Sequence, residues 1–196
     1  TKLKTEDVPR GAMNLNVESG SGSTFATATL TRSRYFELIS DSRVNGDTQR
    51  TTISTKGKGF VWHALGHNEF NVRLSREIPT NLRLDTGATD IDADLSQVRL
   101  SSLDIDTGAS SIDAKLGDKE NNLAVNIDAG ASSITLRVPV STGVRVEHDG
   151  GATYKDFDGI NKVSDDIYES PNFSSATKKI TIKSDTGASS FTIERY

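Results

Sequence analysis

Cysteine is absent from the 196 residues. That removes disulfides, thiolate zinc sites and cysteine nucleophiles, and it fits an oxidising compartment, where a stray thiol is a liability. Aromatic residues are scarce at 6%, with a single Trp. Basic charge is not in excess: 23 Lys and Arg stand against 27 Asp and Glu, a net charge of −4 with a pI near 5.4. A dedicated nucleic-acid binder needs a basic footprint, so no nucleic-acid partner is expected. No run approaches 18 consecutive apolar residues, so this segment does not span a membrane as a helix. The chain opens Thr-Lys-Leu-Lys without Met. A signal, lipid attachment or membrane anchor upstream is therefore expected to be missing from it.

What is present is lean. Leu, Ile, Val and Phe number 46, about 23% of the chain and just above the range typical of disorder. Ser and Thr number 23 and 21. The chain can build a core, but not a thick one.

The strongest signal is an internal repeat. Leu82–Leu95 reads L-R-L-D-T-G-A-T-D-I-D-A-D-L. Leu103–Leu116 reads L-D-I-D-T-G-A-S-S-I-D-A-K-L, and Val125–Val138 reads V-N-I-D-A-G-A-S-S-I-T-L-R-V. Asp85, Asp106 and Asp128 mark steps of 21 and 22 residues. A fourth copy, S-D-T-G-A-S-S-F-T-I, surrounds Asp185; a degraded copy starts at Val144, and a further candidate starts at Leu15. Overlaid, the copies give columns of Leu82, Leu103 and Val125; Leu84, Ile105 and Ile127; Ala88, Ala109 and Ala131; and Ile91, Ile112 and Ile134. Two further columns are Ala93, Ala114 and Leu136, then Leu95, Leu116 and Val138.

Within each copy these positions alternate with polar ones, the period of a strand. A unit of this length cannot bury its apolar side alone, so copies must stack. The expected fold is all-β: a single-stranded right-handed β-helix, or β-solenoid, with rungs of 21–22 residues. A β-sandwich of hairpins is the alternative and predicts turns every 8–12 residues. Two regions are expected: 1–66, an N-terminal β half with less regular rungs, and 67–196, the regular repeats. Residues 154–177, with Asp156, Asp158, Asp165, Asp166 and Pro171, read as an irregular acidic insertion.

Asp-Thr-Gly-Ala-Ser/Thr is also the signature of aspartic proteases, whose two carboxylates share a proton across two facing loops. Copies 21 residues apart cannot each occupy a lobe, and in a solenoid Asp85, Asp106 and Asp185 would fall in one column. The motif reads better as a turn: Asp accepts local backbone N–H bonds and Gly permits a positive φ. Stacked carboxylates, with Asp92, Asp113, Asp90 and Asp94 nearby, raise the question of calcium. The sequence lacks the glycine- and aspartate-rich nonapeptide of calcium-binding β-rolls, so no metal is assigned.

The remaining candidates are weaker. His63, His67 and Glu69 have metal-like spacing but enclose Gly66, and read as surface or junction residues. His148 sits in the degraded turn and is expected to be exposed. Trp62 reads as a plug at a junction. Thr27, Thr29 and Thr31 form one ladder without the stacking an ice-binding array needs. Lys56–Gly59 is too short to cradle a phosphate. No catalytic, cofactor-binding or metal-binding residue is therefore assigned, and no cofactor is expected.

The Ile78–Leu95 unit followed by Leu103–Leu116 resembles bacterial toast-rack and adhesin-type β-helix domains. It is similar also to the C-terminal domain of LiaF-like cell-wall-active antibiotic response proteins. The likeness spans Phe70–Val146 and the copy at Asp185, and more weakly residues 13–53. The resemblance implies a β-helix on membrane-anchored or exported envelope proteins, some in envelope-stress signalling, and offers no catalytic residues. The expected function is a non-enzymatic interaction or scaffold domain at the cell envelope, contacting a protein or a cell-wall polymer, as a monomer or with weak self-association. The alternative is a polysaccharide-active β-helix enzyme using surface carboxylates. A self-assembling spacer is a third reading.

Overall fold

The computed structural model describes residues 13–20, 25–31, 36–57, 68–151 and 153–196. Among them the chain forms seventeen strands and no helix. The first five strands are β1 (Met13–Ser19), β2 (Ala26–Thr31), β3 (Phe36–Asn45), β4 (Thr48–Gly57) and β5 (Asn68–Leu74). Each of the three full repeats then gives two strands joined by a short corner. These are β6 (Thr80–Thr86) with β7 (Thr89–Leu95), β8 (Leu100–Thr107) with β9 (Ser111–Leu116), and β10 (Asn122–Ala129) with β11 (Ser133–Val138). The degraded copy gives β12 (Gly143–Gly150) and β13 (Thr153–Phe157). Two short strands follow, β14 (Asn161–Ser164) and β15 (Ile167–Glu169), before the last copy, β16 (Lys179–Thr186) and β17 (Ser189–Arg195).

The two halves of every repeat go to different sheets. First-half strands stack in a sheet ordered β6-β8-β10-β16-β12-β15-β14, and second-half strands in one ordered β2-β5-β1-β7-β9-β11-β17-β13. Between copies the pairing is parallel, and it keeps the repeat register. Ile91 lies beside Ile112 and Ile112 beside Ile134; Leu82 lies beside Leu103 and Leu103 beside Val125. Alternation decides the facing: β7 is buried at every odd position from Thr89 to Leu95 and exposed between. These inward columns from both sheets form one continuous core, with Ile91, Ile112, Ile134, Leu82 and Leu103 all 2% exposed or less. Each such side chain contributes about 1.5–3 kcal/mol by burial.

The corner between the strands explains the Asp-Thr-Gly motif. A Cβ on Gly130 would come within 2.5 Å of the Gly108 carbonyl oxygen, and one on Gly108 within 3.0 Å of the Gly87 carbonyl. Successive backbones touch there, so glycine is needed for close approach rather than for the positive φ expected from the sequence. The described glycines with positive φ are Gly46 and Gly159, away from this column. The expected Ala88, Ala109 and Ala131 column is exposed at the corner. The inward positions beside it are held by Thr86, Thr107 and Thr186, with Thr86 Oγ1 donating to Thr107 Oγ1 at 3.0 Å.

One uninterrupted coil is not what the strand order shows. After β11 the chain skips a level and lays β12 and β13 one place further out; the last copy then returns to fill the gap. In the first sheet β16 pairs with β10 on one side and β12 on the other; in the second β17 lies between β11 and β13. The same device recurs at the opposite end, where β1 lies between β5 and β7. That placement also corrects the Leu15 copy: Leu15 lies beside Ile91, in the second sheet, not in the column of Leu82.

The region read as an insertion holds most of β13 and the whole of β14 and β15. Residues 153–157 complete the fifth level, and β15 extends the first sheet antiparallel to β12. Residues 170–178 then carry the chain back, tied by Asn172 Nδ2 to the Thr142 carbonyl at 3.2 Å and by Ser170 Oγ accepting the Val144 N–H at 2.8 Å. At the other end β3 and β4 form a ten-pair hairpin. Gly46, with φ 58°, opens its two-residue turn. Thr51 and Ile53 fold inward, while residues 39–50 are exposed.

Candidate functional site

Because strand residues alternate, a repeat that buries its odd positions must display its even ones in rows. On the outer face of the first sheet the register builds one row of five aspartates: Asp85, Asp106, Asp128, Asp185 and Asp149. The neighbouring row reads Arg83, Asp104, Asn126, Lys183 and Glu147. All of these except Asp85 line a shallow groove in which six carboxylates face two cations, Arg83 and Lys183.

Neighbouring carboxylates about 4.8 Å apart on adjacent strands repel by roughly 1 kcal/mol in a water-like dielectric. The start of the row is compensated. Arg83 reaches Asp106 at 3.3 Å and Asp85 at 4.0 Å, and Asn126 Nδ2 donates to Asp104 at 2.6 Å. Further along, Lys183 is engaged by Glu147 at 3.6 Å, one row away. Asp128, Asp185 and Asp149 therefore stack with no cation of their own among the described residues. Nor do Asp106, Asp128 and Asp185 accept the local turn bonds expected of them; their side chains face outward.

The outer face of the second sheet differs. Arg137 bonds both Asp113 and Glu194, the latter at 2.9 Å, and the Asp113 bond above all raises the guanidinium pKa. Arg73 holds Glu18 at 2.6 Å. Asp94 is held below its ordinary value chiefly by the Ser96 hydroxyl, which donates to it at 2.6 Å. Lys115 lies over the Tyr196 ring at 4.5 Å from its centre. Burial raises the phenol pKa of Tyr196, whose hydroxyl donates to the Leu116 carbonyl at 2.7 Å. Arg137, Arg73 and Lys115 thus engage their neighbours on this face, while Asp90 and Asp92 stand outward on β7 without a cation of their own among the described residues.

Asp85 and Asp106 stand side by side on adjacent strands with Arg83 between them, not face to face as a proton-sharing pair requires. Among the described residues no group of three or more His, Asp or Glu side chains is placed to hold a metal ion. Glu69 is exposed on β5; His63, His67, Trp62, Lys58 and Gly59 lie outside the described residues. Thr27, Thr29 and Thr31 are exposed on the edge strand β2. His148 corrects the expectation of exposure: it lies inside β12, with none of its surface accessible. Its position in the column of Leu84, Ile105 and Ile127 was legible once Asp149 is aligned with Asp128.

Residues 5–137 match the family described as the N-terminal domain of toast_rack, DUF2154. The chain belongs to the toast-rack family. The match includes the first three levels of the toast-rack stack and stops before the skipped level. No curated protein matches the sequence. Among solved structures, the chain is similar to a candidate cell adhesion protein from Clostridium sporogenes ATCC 15579, with a TM-score of 0.88 and 23% identity. The likeness covers 100% of this chain and 91% of that one, so the returning C-terminal copy lies within the shared fold.

Proposed function

We propose that this toast-rack chain is a non-enzymatic, adhesin-like scaffold of the bacterial cell envelope, exported and held to the membrane by an anchor outside the sequence. It presents the aspartate row of its first sheet to a cationic partner, either a basic protein segment or an amine-bearing cell-wall polymer. The stack itself is read as a right-handed β-solenoid, the hand that parallel crossovers adopt almost without exception. Residues 1–66 serve as its end piece and 67–196 as its regular body. The single observation that carries this reading is the run Asp128, Asp185 and Asp149, left without a cation on a face rigidly fixed by five strands. Family membership and the adhesion-protein likeness support the envelope setting.

The test is cosedimentation of the purified chain with an envelope fraction. Wild type is expected to sediment at low ionic strength and to be released by salt, because exposed charges are screened within about 10 Å at 0.1 M. The Asp128→Asn, Asp185→Asn, Asp149→Asn triple variant is expected to stay in solution. Equal sedimentation of the variant, or turnover of a cell-wall polymer that the triple substitution abolishes, would overturn the proposal.

A further inference from the structure

The inward column that reads Leu84, Ile105 and Ile127 in the first three levels ends on Ser184 and His148 in the last two. Both are buried, His148 completely and Ser184 to within 4%. Neither ring nitrogen of His148 has a hydrogen-bond partner, and neither has the Ser184 hydroxyl. A buried polar group left unpaired is destabilising, a penalty the leucine and isoleucines of the same column avoid. The imidazole lies obliquely against Phe191, with ring centres 5.8 Å apart. Gly150 makes room for it, since a Cβ there would come within 2.7 Å of Nε2.

The backbone at this point is also under tension. The His148 N–H donates to the Asp166 carbonyl at 2.8 Å. Asp166 has φ 61°, the left-handed region that non-glycine residues avoid. The β14–β15 hairpin is thus closed onto β12 through a strained turn, directly over an unpaired buried histidine.

Charged groups surround the ring from each packed element. Lys155 comes from β13, Asp166 from the β14–β15 turn, Asp149 from β12 itself and Asp185 from β16. β17 supplies the uncharged Phe191, and β15 supplies Tyr168, which packs edge-on against Phe157. Burial is the largest influence and Lys155 adds to it; the three carboxylates oppose them without prevailing, so His148 is held below its ordinary value.

We propose that His148 is an acid trigger: its protonation releases β12 and the β14–β15 hairpin from the C-terminal copy β16–β17, while the three levels from β6 to β11 stay folded. The direction follows from proton binding. The open form takes up a proton near the ordinary histidine value of about 6.5, the closed form only at lower pH. Closure is intact above that range and weakens as pH falls through it, the opening constant rising about tenfold per pH unit. The inference does not depend on what the aspartate row binds.

Hydrogen–deuterium exchange on the intact chain between pH 7.5 and 5, corrected for the intrinsic pH dependence of exchange, tests it. Protection across 143–169 is expected to fall about tenfold per unit below about pH 6.5, with 80–138 unchanged. His148→Leu, which restores the column, and His148→Gln, which keeps a polar but non-titrating group, are both expected to abolish this dependence. A histidine-ring titration by NMR in a His63→Gln, His67→Gln background reads His148 alone and decides the matter should either variant fail to fold. Titration of His148 at or above the ordinary value with protection retained, or the same acid loss in both His148 variants, would overturn the proposal.

Discussion

The three levels from β6 to β11 and the two that follow share an exterior and differ in their interior. Outside, the aspartate row runs through all five, and the glycine at the corner recurs in each as Gly87, Gly108, Gly130, Gly187 and Gly151. Inside, the first three carry Leu84, Ile105 and Ile127 where the last two carry Ser184 and His148. The second-sheet columns diverge as well: Ile91, Ile112 and Ile134 give way to Phe191 and then to Lys155. A repeat can therefore hold its register through backbone pairing and corner geometry while its core chemistry changes. The last two levels are the weaker part, because they bury fewer apolar groups and leave polar ones unpaired.

Five substitutions sharpen this comparison, the largest expected effect first and Gly151 serving as the control for Gly130. Ile112→Ala, in the middle of the regular levels, is expected to destabilise by about 2–5 kcal/mol in denaturant unfolding. Gly130→Ala, whose new Cβ meets the Gly108 carbonyl at 2.5 Å, is expected to cost about 1–3 kcal/mol. Gly151→Ala, where the nearest atom is 3.4 Å away, is expected to be near neutral, and equal losses at the two glycines would break the corner argument. Ser184→Ala removes a buried hydroxyl that bonds nothing and is expected to leave stability unchanged or raise it by up to about 1 kcal/mol; a clear loss would mean the hydroxyl has a partner. Arg83→Gln frees Asp85 and Asp106 of their cation at a half-exposed site, so a loss within about 1 kcal/mol that shrinks with added salt is expected.

In the regular part the strand columns were legible in the sequence. Period-2 alternation at a fixed 21–22 residue step makes the columns visible, and Ile91, Ile112 and Ile134 pack where that spacing puts them. It misled at the corner, because Ala88 is apolar and Thr86 is polar, yet the exposed one is Ala88. Hydrophobicity does not determine facing in a tight turn; backbone crowding does. The order of the last two copies was not legible at all. Parallel pairing between in-register repeats looks the same to any neighbour, so nothing local in Val144–Gly150 says that one level is left open for a strand thirty residues later. For the same reason residues 154–177, rich in aspartate and poor in alternation, read as a loop although much of the segment pairs.

The aspartate row was legible as a column but not as a surface. Only the cations of the adjacent row, and their engagement by Asp106 and Glu147, show which carboxylates are left over. His148 was missed because its neighbours, Asp149 and Gly150, are turn residues by type; in place they end a strand.

The returning C-terminal copy is the claim on which the rest stands, and the absence of cysteine makes it directly testable. Asn126, Lys183 and Glu147 occupy successive places in one outward row. Cysteine pairs at 126 and 183, and at 183 and 147, span one strand spacing of about 4.8 Å and should close a disulfide on mild oxidation of the folded chain. A pair at 126 and 147 spans two spacings, about 10 Å, and should not. Ready cross-linking of 126 to 147 without closure at 126 and 183 would mean that the chain coils on without a gap, and the arrangement described here would be contradicted.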